Sequence, residues 1–133
     1  MKLITKDTGY ALRILLYMSQ YRCRSVSVKQ IVKNVGVPYA FTRRICRILS
    51  DKKILFSRRG KGGGFMLCRN PGSISIKEII EIFQGDISFL DCFIKGDPCF
   101  RIKKCTVRKR LKIIEKQVKN NLKKITIKEL LRG

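Results

Sequence analysis

The sequence predicts a mainly α fold with a small β-hairpin, namely a winged helix-turn-helix plus a long C-terminal dimerisation helix. A short helix, a glycine turn and a second, basic helix follow one another over residues 28–52. A basic, glycine-rich hairpin comes directly afterwards. Residues 106–125 then carry apolar residues at nearly heptad spacing. We therefore expect a DNA-binding domain over 1–85, a cysteine-containing loop over 86–105, and a dimerisation helix with its tail over 106–133.

Helix starts and ends are indicated by capping signals. Three capping boxes are predicted, at Ser27 with Gln30, Ser75 with Glu78 and Thr126 with Glu129. Gly36 fits the left-handed position that ends a helix. Apolar residues at helical spacing predict the first helix over 8–21 and a later one from residue 76 to Gly85.

The helix over residues 39–52 is the expected recognition helix. Its buried stripe is predicted to be Phe41, Ile45, Ile48 and Leu49. Residues at the start of such a helix contact base edges in the major groove. The expected readers are Tyr39, Thr42, Arg43 and Arg44.

A wing is predicted after this helix. Strands over 54–57 and 65–68 flank the turn Arg58-Arg59-Gly60-Lys61-Gly62-Gly63-Gly64. We expect Arg59 and Lys61 to reach phosphates or the minor groove, and Gly62 and Gly63 to let the backbone approach DNA closely. A solvated hairpin tip is the alternative. A nucleotide-binding phosphate loop fits less well, because the turn lacks GK[ST] and leads into a strand.

The charge of the chain indicates its partner. Lys and Arg number 31 against 9 Asp and Glu, a formal net charge of +22. Such an excess favours a polyanion, here a double-stranded DNA operator. An AT-rich genome would contribute by inflating Lys and Ile. A protein that coats nucleic acid by charge alone is the competing interpretation, and the helix-turn-helix argues against it.

Other functional classes are disfavoured. Histidine is absent, and no nucleophile motif, paired carboxylates or nucleotide loop is present, so we expect neither an enzyme nor a small-molecule substrate. The start of the chain predicts no signal peptide, and no apolar stretch approaches the roughly 20 residues needed to span a bilayer. A cytoplasmic protein without membrane contact is expected.

Three closely spaced cysteines, Cys92, Cys99 and Cys105, can together ligate a metal centre. Gly96 and Pro98 keep this loop out of regular structure, and Lys95, Lys103 and Lys104 would offset the negative charge of a thiolate-ligated iron–sulfur cluster. Zinc is an alternative, although no C-x2-C pair is present. Three incidental thiols are another. Cys23, Cys46 and Cys68 are interpreted as background thiols.

The chain resembles the Rrf2 family of bacterial transcription regulators over nearly its whole length. The resemblance rests on Thr8-Gly9-Tyr10-Ala11-Leu12-Arg13, the wing Ser57 to Leu67, Ile74-Ser75-Ile76-Lys77-Glu78-Ile79-Ile80, the three cysteines, and Ile125-Thr126-Ile127-Lys128-Glu129-Leu130. It implies a homodimer whose members repress or activate genes. Its three-cysteine subgroup implies an iron–sulfur cluster on Cys92, Cys99 and Cys105, [2Fe-2S] being favoured over [4Fe-4S].

Two positions depart from the family pattern. Arg108 stands where one branch has a histidine ligand, and Gly9 stands where another has an aspartate supplied by the partner subunit. Asp7, two residues away, is the candidate fourth ligand. A backbone group, water or small thiol is the alternative.

The expected function is therefore a homodimeric, DNA-binding transcription regulator. Its iron–sulfur cluster would sense redox state, nitric oxide or iron–sulfur status. The alternative is a cluster-free winged-helix regulator that responds to thiol oxidation, a small ligand or a partner protein. The apolar seam of the last long helix could pack on the chain's own first helix or on a second copy, and we favour the second copy.

Overall fold

The computed structural model describes residues 2–94 and 97–133, and it confirms the predicted mainly helical fold with a small hairpin wing. Lys95 and Gly96 of the predicted cysteine loop lie outside the described residues. The helices are α1 Lys6–Met18, α2 Val28–Val35, α3 Tyr39–Asp51, α4 Ile76–Gln84, α5 Thr106–Lys124 and α6 Ile127–Arg132, with 3-10 turns at Ser19–Tyr21 and Pro71–Ser73. The strands are β1 Phe56–Arg58, β2 Gly64–Met66, β3 Phe93–Ile94 and β4 Asp97–Pro98.

Local side-chain chemistry fixes the ends of α2. The Ser27 hydroxyl accepts from the Gln30 N–H at 3.2 Å, and the Gln30 Oε1 accepts from the Ser27 N–H at 3.0 Å. Gly36 ends the helix with φ +76°, a conformation that costs glycine little. The predicted capping box and C-cap are both confirmed.

At α4 and α6 the N-cap hydroxyls accept the predicted hydrogen bonds, but at α4 the glutamate does not complete the capping box. The Ser75 hydroxyl accepts from the Glu78 N–H at 3.1 Å, and the Thr126 hydroxyl accepts from the Glu129 N–H at 3.2 Å. The Glu78 carboxylate does not return to Ser75 but pairs with Arg69 at 2.9 Å. This ion pair connects the segment after β2 to the first turn of α4.

The main core joins α1, α2, α3, α4 and α6 to the base of the wing. Its fully buried side chains include Ile14, Leu15, Ile31, Ile45, Leu49, Leu55, Leu67, Ile79 and Ile127. Burying one such side chain stabilises the fold by about 1.5–3 kcal/mol. This core holds α3 and the wing in fixed relative positions.

Helix α5 packs by only half of its apolar seam. Its C-terminal half places Leu122 and Val118 against Ile76 and Ile80 of α4. Its N-terminal half leaves the seam residues Val107 (60%) and Ile114 (45%) exposed, together with Ile113 (56%) on another face of the helix. The intrachain support for the seam is thus mainly α4, and not the chain's own first helix, which the sequence offered as the alternative to a second copy.

The linker before α2 supports the wing. Residues 23–26 run antiparallel to β2, where the Val26 and Phe65 backbones exchange hydrogen bonds of 2.9 Å. The Cys23 N–H donates to the Leu67 carbonyl, also at 2.9 Å. Gly64 is required at this junction, because a Cβ there would overlap the Val26 carbonyl. The linker and the return strand of the wing therefore form one hydrogen-bonded unit.

Candidate DNA interface and cysteine loop

The outward face of α3 is basic and aromatic. Tyr39 is 49% exposed at the first position of the helix, and its neighbours on this face include Arg43, Arg44 and Arg47. Together with Ala40 these side chains line a shallow cavity of about 330 Å³. A helix that presents arginines and a tyrosine in this way can donate hydrogen bonds to base edges.

A second depression of about 560 Å³ lies between α3 and the wing. Its basic residues are Arg43, Arg47, Arg58 and Arg59, and Asp51 adds one carboxylate. Among the described residues, none of these four arginines is within ion-pair distance of an acid. We call this depression the basic groove.

Two residues missed by the site prediction line the basic groove. Arg47 lies one helical turn after Arg43, so the i, i+4 spacing could have placed both on one face. Arg58 is the last residue of β1, directly before the predicted wing residues. Its position at the groove required the fold, because the angle between a hairpin and a helix cannot be read from either segment alone.

Thr42 is a correction to the predicted set of base readers. Its side chain is fully buried, and its hydroxyl donates to the Val37 carbonyl at 3.1 Å. It therefore stabilises the turn between α2 and α3 and cannot face DNA. The predicted buried stripe is shifted as well, because Phe41 is 36% exposed and packs edge-on against Tyr10 at 5.9 Å.

Arg44, another predicted reader, is held by α1. Its guanidinium donates to both carboxylate oxygens of Asp7, at 2.9 and 3.0 Å, and stacks 5.1 Å from the Phe41 ring. Both charged side chains remain substantially exposed, so this ion pair is only a weak stabiliser. The carboxylate of Asp7, the predicted fourth ligand, is thus paired with Arg44, which was itself predicted to contact DNA.

The wing tip is a tight glycine turn with exposed cations. Arg59, Lys61 and Gly62 are exposed, and Gly62 has φ +76°. The Gly63 N–H donates to the Gly60 carbonyl at 2.9 Å, and a Cβ at Gly63 would overlap the Arg58 carbonyl. Gly62 and Gly63 therefore have a demonstrable role in shaping the turn that presents Arg59 and Lys61.

In the cysteine loop, the β3–β4 hairpin brings two of the three cysteines together. Cys92 and Cys99 flank the paired strands, and the Cys99 N–H donates to the Cys92 carbonyl at 2.6 Å. Cys105 is the N-cap of α5, where its Sγ accepts from the Arg108 N–H at 3.4 Å. All three are partly buried free thiols.

The third cysteine is not gathered with the first two. Backbone turns at Cys99–Ile102 and Arg101–Lys104 separate Cys105 from the hairpin. Over residues 2–94 and 97–133, no three Cys, Asp or Glu side chains are positioned to hold one metal ion. The thiolate donor set suits an iron–sulfur cluster, but this conformation brings together only two of its members.

One ion pair connects the loop region to α5, and a second lies within α5, where Glu115 also accepts a hydrogen bond from the backbone of Phe89. Asp86 accepts from Lys119 at 3.1 Å, and this hydrogen bond lowers the pKa of Asp86. Glu115 is only 3% exposed and pairs with Lys112 at 2.7 Å. The hydrogen bond from Lys112 lowers the pKa of Glu115, while burial opposes the shift. Both carboxylates are therefore held in their charged forms beside α5.

Across the described part of the chain, no helix combines the length and apolar character that a bilayer crossing requires.

Comparison with known sequences gives the family. Residues 4–133 match the Rrf2 family model, described as an iron-dependent transcriptional regulator. A protein of Aquifex aeolicus named as an HTH-type transcriptional regulator is 32% identical over 132 residues, covering 97% of this chain and 92% of its own. The HTH-type transcriptional repressor NsrR of Streptomyces coelicolor is 27% identical over 131 residues, covering 96% of this chain and 87% of its own.

Solved structures share the fold. CymR, the global cysteine regulator of B. subtilis, superimposes with a TM-score of 0.78 at 22% identity, covering 99% of this chain and 98% of that one. IscR of T. potens superimposes with a TM-score of 0.75 at 20% identity, covering 99% of this chain and 87% of that one. The chain therefore belongs to the Rrf2 family of DNA-binding transcription regulators.

Proposed function

We propose that this chain binds its operator as a homodimer and that an iron–sulfur cluster on Cys92, Cys99 and Cys105 modulates that binding. It would act in the cytoplasm as a regulator and not as an enzyme. The basic groove supports the DNA-binding half of the proposal. The hairpin that places Cys92 beside Cys99 is the observation that carries the sensing half.

The basic groove can read DNA in two ways. Arg43 and Arg47 project from α3, where a guanidinium can bind guanine bidentately in the major groove and discriminate by about 1–3 kcal/mol. Arg58 and Arg59 come from the wing and would neutralise phosphates or enter the minor groove. Because α3 and the wing share one core, both contacts would form in a fixed register.

The cysteine loop has the donors that a cluster needs. Cys92 and Cys99 would supply two thiolates from the hairpin, and Cys105 would supply a third from the start of α5. When bound, such a cluster would respond to oxidants or nitric oxide; we favour [2Fe-2S] over [4Fe-4S]. As fourth ligand, the partner's Asp7 would first have to release its Arg44, which would then be free to contact DNA.

The loop is positioned so that a change in its conformation would move α5. Residues 86–105 connect the winged helix to α5. Asp86 forms an ion pair with Lys119 of α5, and Ile87 belongs to the apolar group that contains Leu122 of α5. Bringing Cys105 toward the hairpin would move the N-terminal half of α5, which is the less packed half. In a dimer built on α5, this movement would change the separation of the two recognition helices.

The exposed half of α5 supports a homodimer. Val107, Ile113 and Ile114 lie within eight consecutive positions of a helix whose remaining exposed residues are mostly basic. Burying Val107 and Ile114, which belong to the heptad-like seam, against a second copy would remove apolar surface from water. Two winged helices would then read a two-fold operator.

A cluster-free regulator is the second candidate. The specific observation in its favour is that the described residues contain no assembled three-ligand group. In that case the cysteine loop would respond through thiol chemistry, a ligand or a partner protein.

Anaerobic absorption spectroscopy with iron and sulfide counts tests the cluster. Wild-type protein should show thiolate-to-iron absorption that Cys92→Ala abolishes. Cys23→Ala, outside the cysteine loop, is the matched control and should retain it. A featureless wild-type spectrum after reconstitution would reject the cluster and leave the cluster-free regulator.

Titration of a selected operator duplex tests the groove. Arg43→Ala should weaken binding about tenfold or more and relax base preference. Lys123→Ala removes the same charge from the exposed end of α5 and should have a much smaller effect. Equal losses for both variants, with no base preference, would instead identify a protein that coats nucleic acid by charge.

A further inference from the structure

A second thiol pair lies outside the cysteine loop. Cys23 is in the linker before α2, and Cys68 follows the return strand of the wing. The backbone brings them together, because the Cys23 N–H donates to the Leu67 carbonyl at 2.9 Å while Val26 pairs with Phe65. Cys68 is therefore the residue directly after the backbone partner of Cys23, and adjustment of a side-chain rotamer could bring their Cβ atoms to the roughly 3.5–4.5 Å span of a disulfide.

The Cys23 thiol is near enough to Cys68 to influence its pKa. Burial raises the pKa of Cys68, and a hydrogen bond with the Cys23 thiol raises this pKa further. The backbone of Cys23 has φ +61°, a left-handed conformation that is uncommon for cysteine. Its hydrogen bond to Leu67 maintains this conformation and keeps the thiol at the edge of β2.

Solvent can reach this pair of thiols but not Cys46, the third cysteine of the winged helix. Cys23 is exposed and Cys68 partly buried, so an oxidant can reach the Cys23 sulfur first, while Cys68 lies next to Leu67, the backbone partner of Cys23. Cys46 is fully buried, and burial raises its pKa to about 12, so it stays an inert thiol. Arg22, adjacent in sequence, adds positive charge that lowers the pKa of Cys68 slightly.

We propose that Cys23 and Cys68 form an oxidisable thiol pair whose disulfide cross-links the linker to the wing. This site is independent of the cluster proposed for the cysteine loop. The sequence alone gave no reason to connect two cysteines so far apart in the chain.

The oxidant would be hydrogen peroxide, which takes up two electrons. The Cys23 thiolate attacks the peroxide oxygen, the O–O bond breaks, and Cys23 becomes a sulfenic acid with release of one water molecule. The Cys68 thiol then displaces the hydroxyl from the Cys23 sulfur, so that the S–S bond forms and a second water leaves. Two thiols and one peroxide thus give one disulfide and two waters.

The cross-link would enclose the DNA-reading unit. Residues 24–67 contain α2, α3, β1 and β2, so the disulfide would close a loop around the whole helix-turn-helix and wing. Closing a loop of this length restricts the unfolded chain and stabilises the native state. Peroxide would therefore raise the thermal midpoint of the winged helix and fix the wing against its linker.

Peptide mapping of the full-length protein after mild peroxide treatment tests the proposal. A peptide containing Cys23 linked to Cys68 should appear, while Cys46 stays free until the protein is denatured. Cys68→Ser should instead leave Cys23 as a sulfenic acid that a 1,3-diketone traps, and it should abolish the rise in thermal midpoint. Cys92→Ser is the matched control and should still form the Cys23–Cys68 link.

Other pairings would overturn the proposal. Recovery of Cys23 linked mainly to a cysteine of the loop or to a second chain would show that the contact with Cys68 does not direct oxidation. Recovery of both thiols unmodified, under conditions that oxidise Cys92 or Cys99, would show that the pair is not reactive. Neither result depends on whether the loop binds a cluster.

Discussion

The winged helix and the cysteine loop differ in how completely one chain builds them. The winged helix has a continuous core of fully buried side chains, and its recognition helix and wing are fixed by that core. The loop has two-residue strands, a 90% exposed Phe100, and cysteines of which only two are juxtaposed. The DNA-reading unit is therefore complete by itself, whereas the proposed sensing unit needs a cluster or second chain to complete it.

The largest effect should come from opening the winged-helix core. Leu49→Ala removes a fully buried side chain from α3, and we expect it to lower the free energy of unfolding by about 3 kcal/mol. Leu90→Ala removes a half-buried side chain from the loop and should lower the free energy of unfolding by less than about 1 kcal/mol. Chemical denaturation measures both. Equal costs would mean that the loop is as well packed as the domain before it.

The wing junction should be the next most sensitive point. Gly64→Ala would push a Cβ into the Val26 carbonyl at a backbone conformation of φ +157°, so we expect a loss of about 2 kcal/mol and of wing-dependent DNA binding. Gly9→Ala is the matched control. A Cβ there meets no atom within 4 Å inside α1, and the change should stabilise by about 0.5–1 kcal/mol. Both are measured by thermal unfolding and DNA titration, and an unaffected Gly64→Ala variant would show that the linker and wing can separate.

The comparison also separates what the sequence could predict from what it could not. Ser27 and Gly36 were predictable because capping depends on neighbours within a few residues. The orientation of α3 was not, because two helical stripes were available, one beginning at Phe41 and one at Thr42. The more apolar residue suggested the first stripe. The fold uses the second, since the Thr42 hydroxyl is satisfied by Val37 and Phe41 packs against Tyr10.

The candidate sites show the same limit. The spacing of Cys92, Cys99 and Cys105 predicted a shared site, but chain spacing does not determine whether the turns between cysteines bring the thiols together. The contact between Cys23 and Cys68 could not be predicted either, because it depends on a bridge between a linker and a strand about 40 residues apart. Long-range pairing of this kind has no local signal.

A smaller effect should come from the ion pair that connects α1 to the recognition helix. Asp7→Asn frees Arg44 and removes a negative charge beside the DNA-binding face, so we expect operator affinity to rise about two- to fivefold at low salt. Stability should change by less than about 0.5 kcal/mol, because both groups are exposed. Asp97→Asn makes the same charge change at the exposed cysteine hairpin and should leave affinity nearly unchanged. If Asp7 instead orients Arg44 for binding, affinity will fall.

The smallest effect should be a pH-dependent one at the contact between α5 and the loop. The folded state lowers the pKa of Glu115 through the hydrogen bond from Lys112, so Glu115 stabilises the fold above its unfolded pKa and loses that contribution as pH falls through the folded value. Glu115→Gln should therefore destabilise by up to about 1 kcal/mol near about pH 7, and the difference from wild type should shrink toward about pH 3. Urea titrations across this range measure it. Because Glu115 is buried on α5 beside the loop, a pH-independent difference would mean that its packing, and not its charge, holds α5 against the loop.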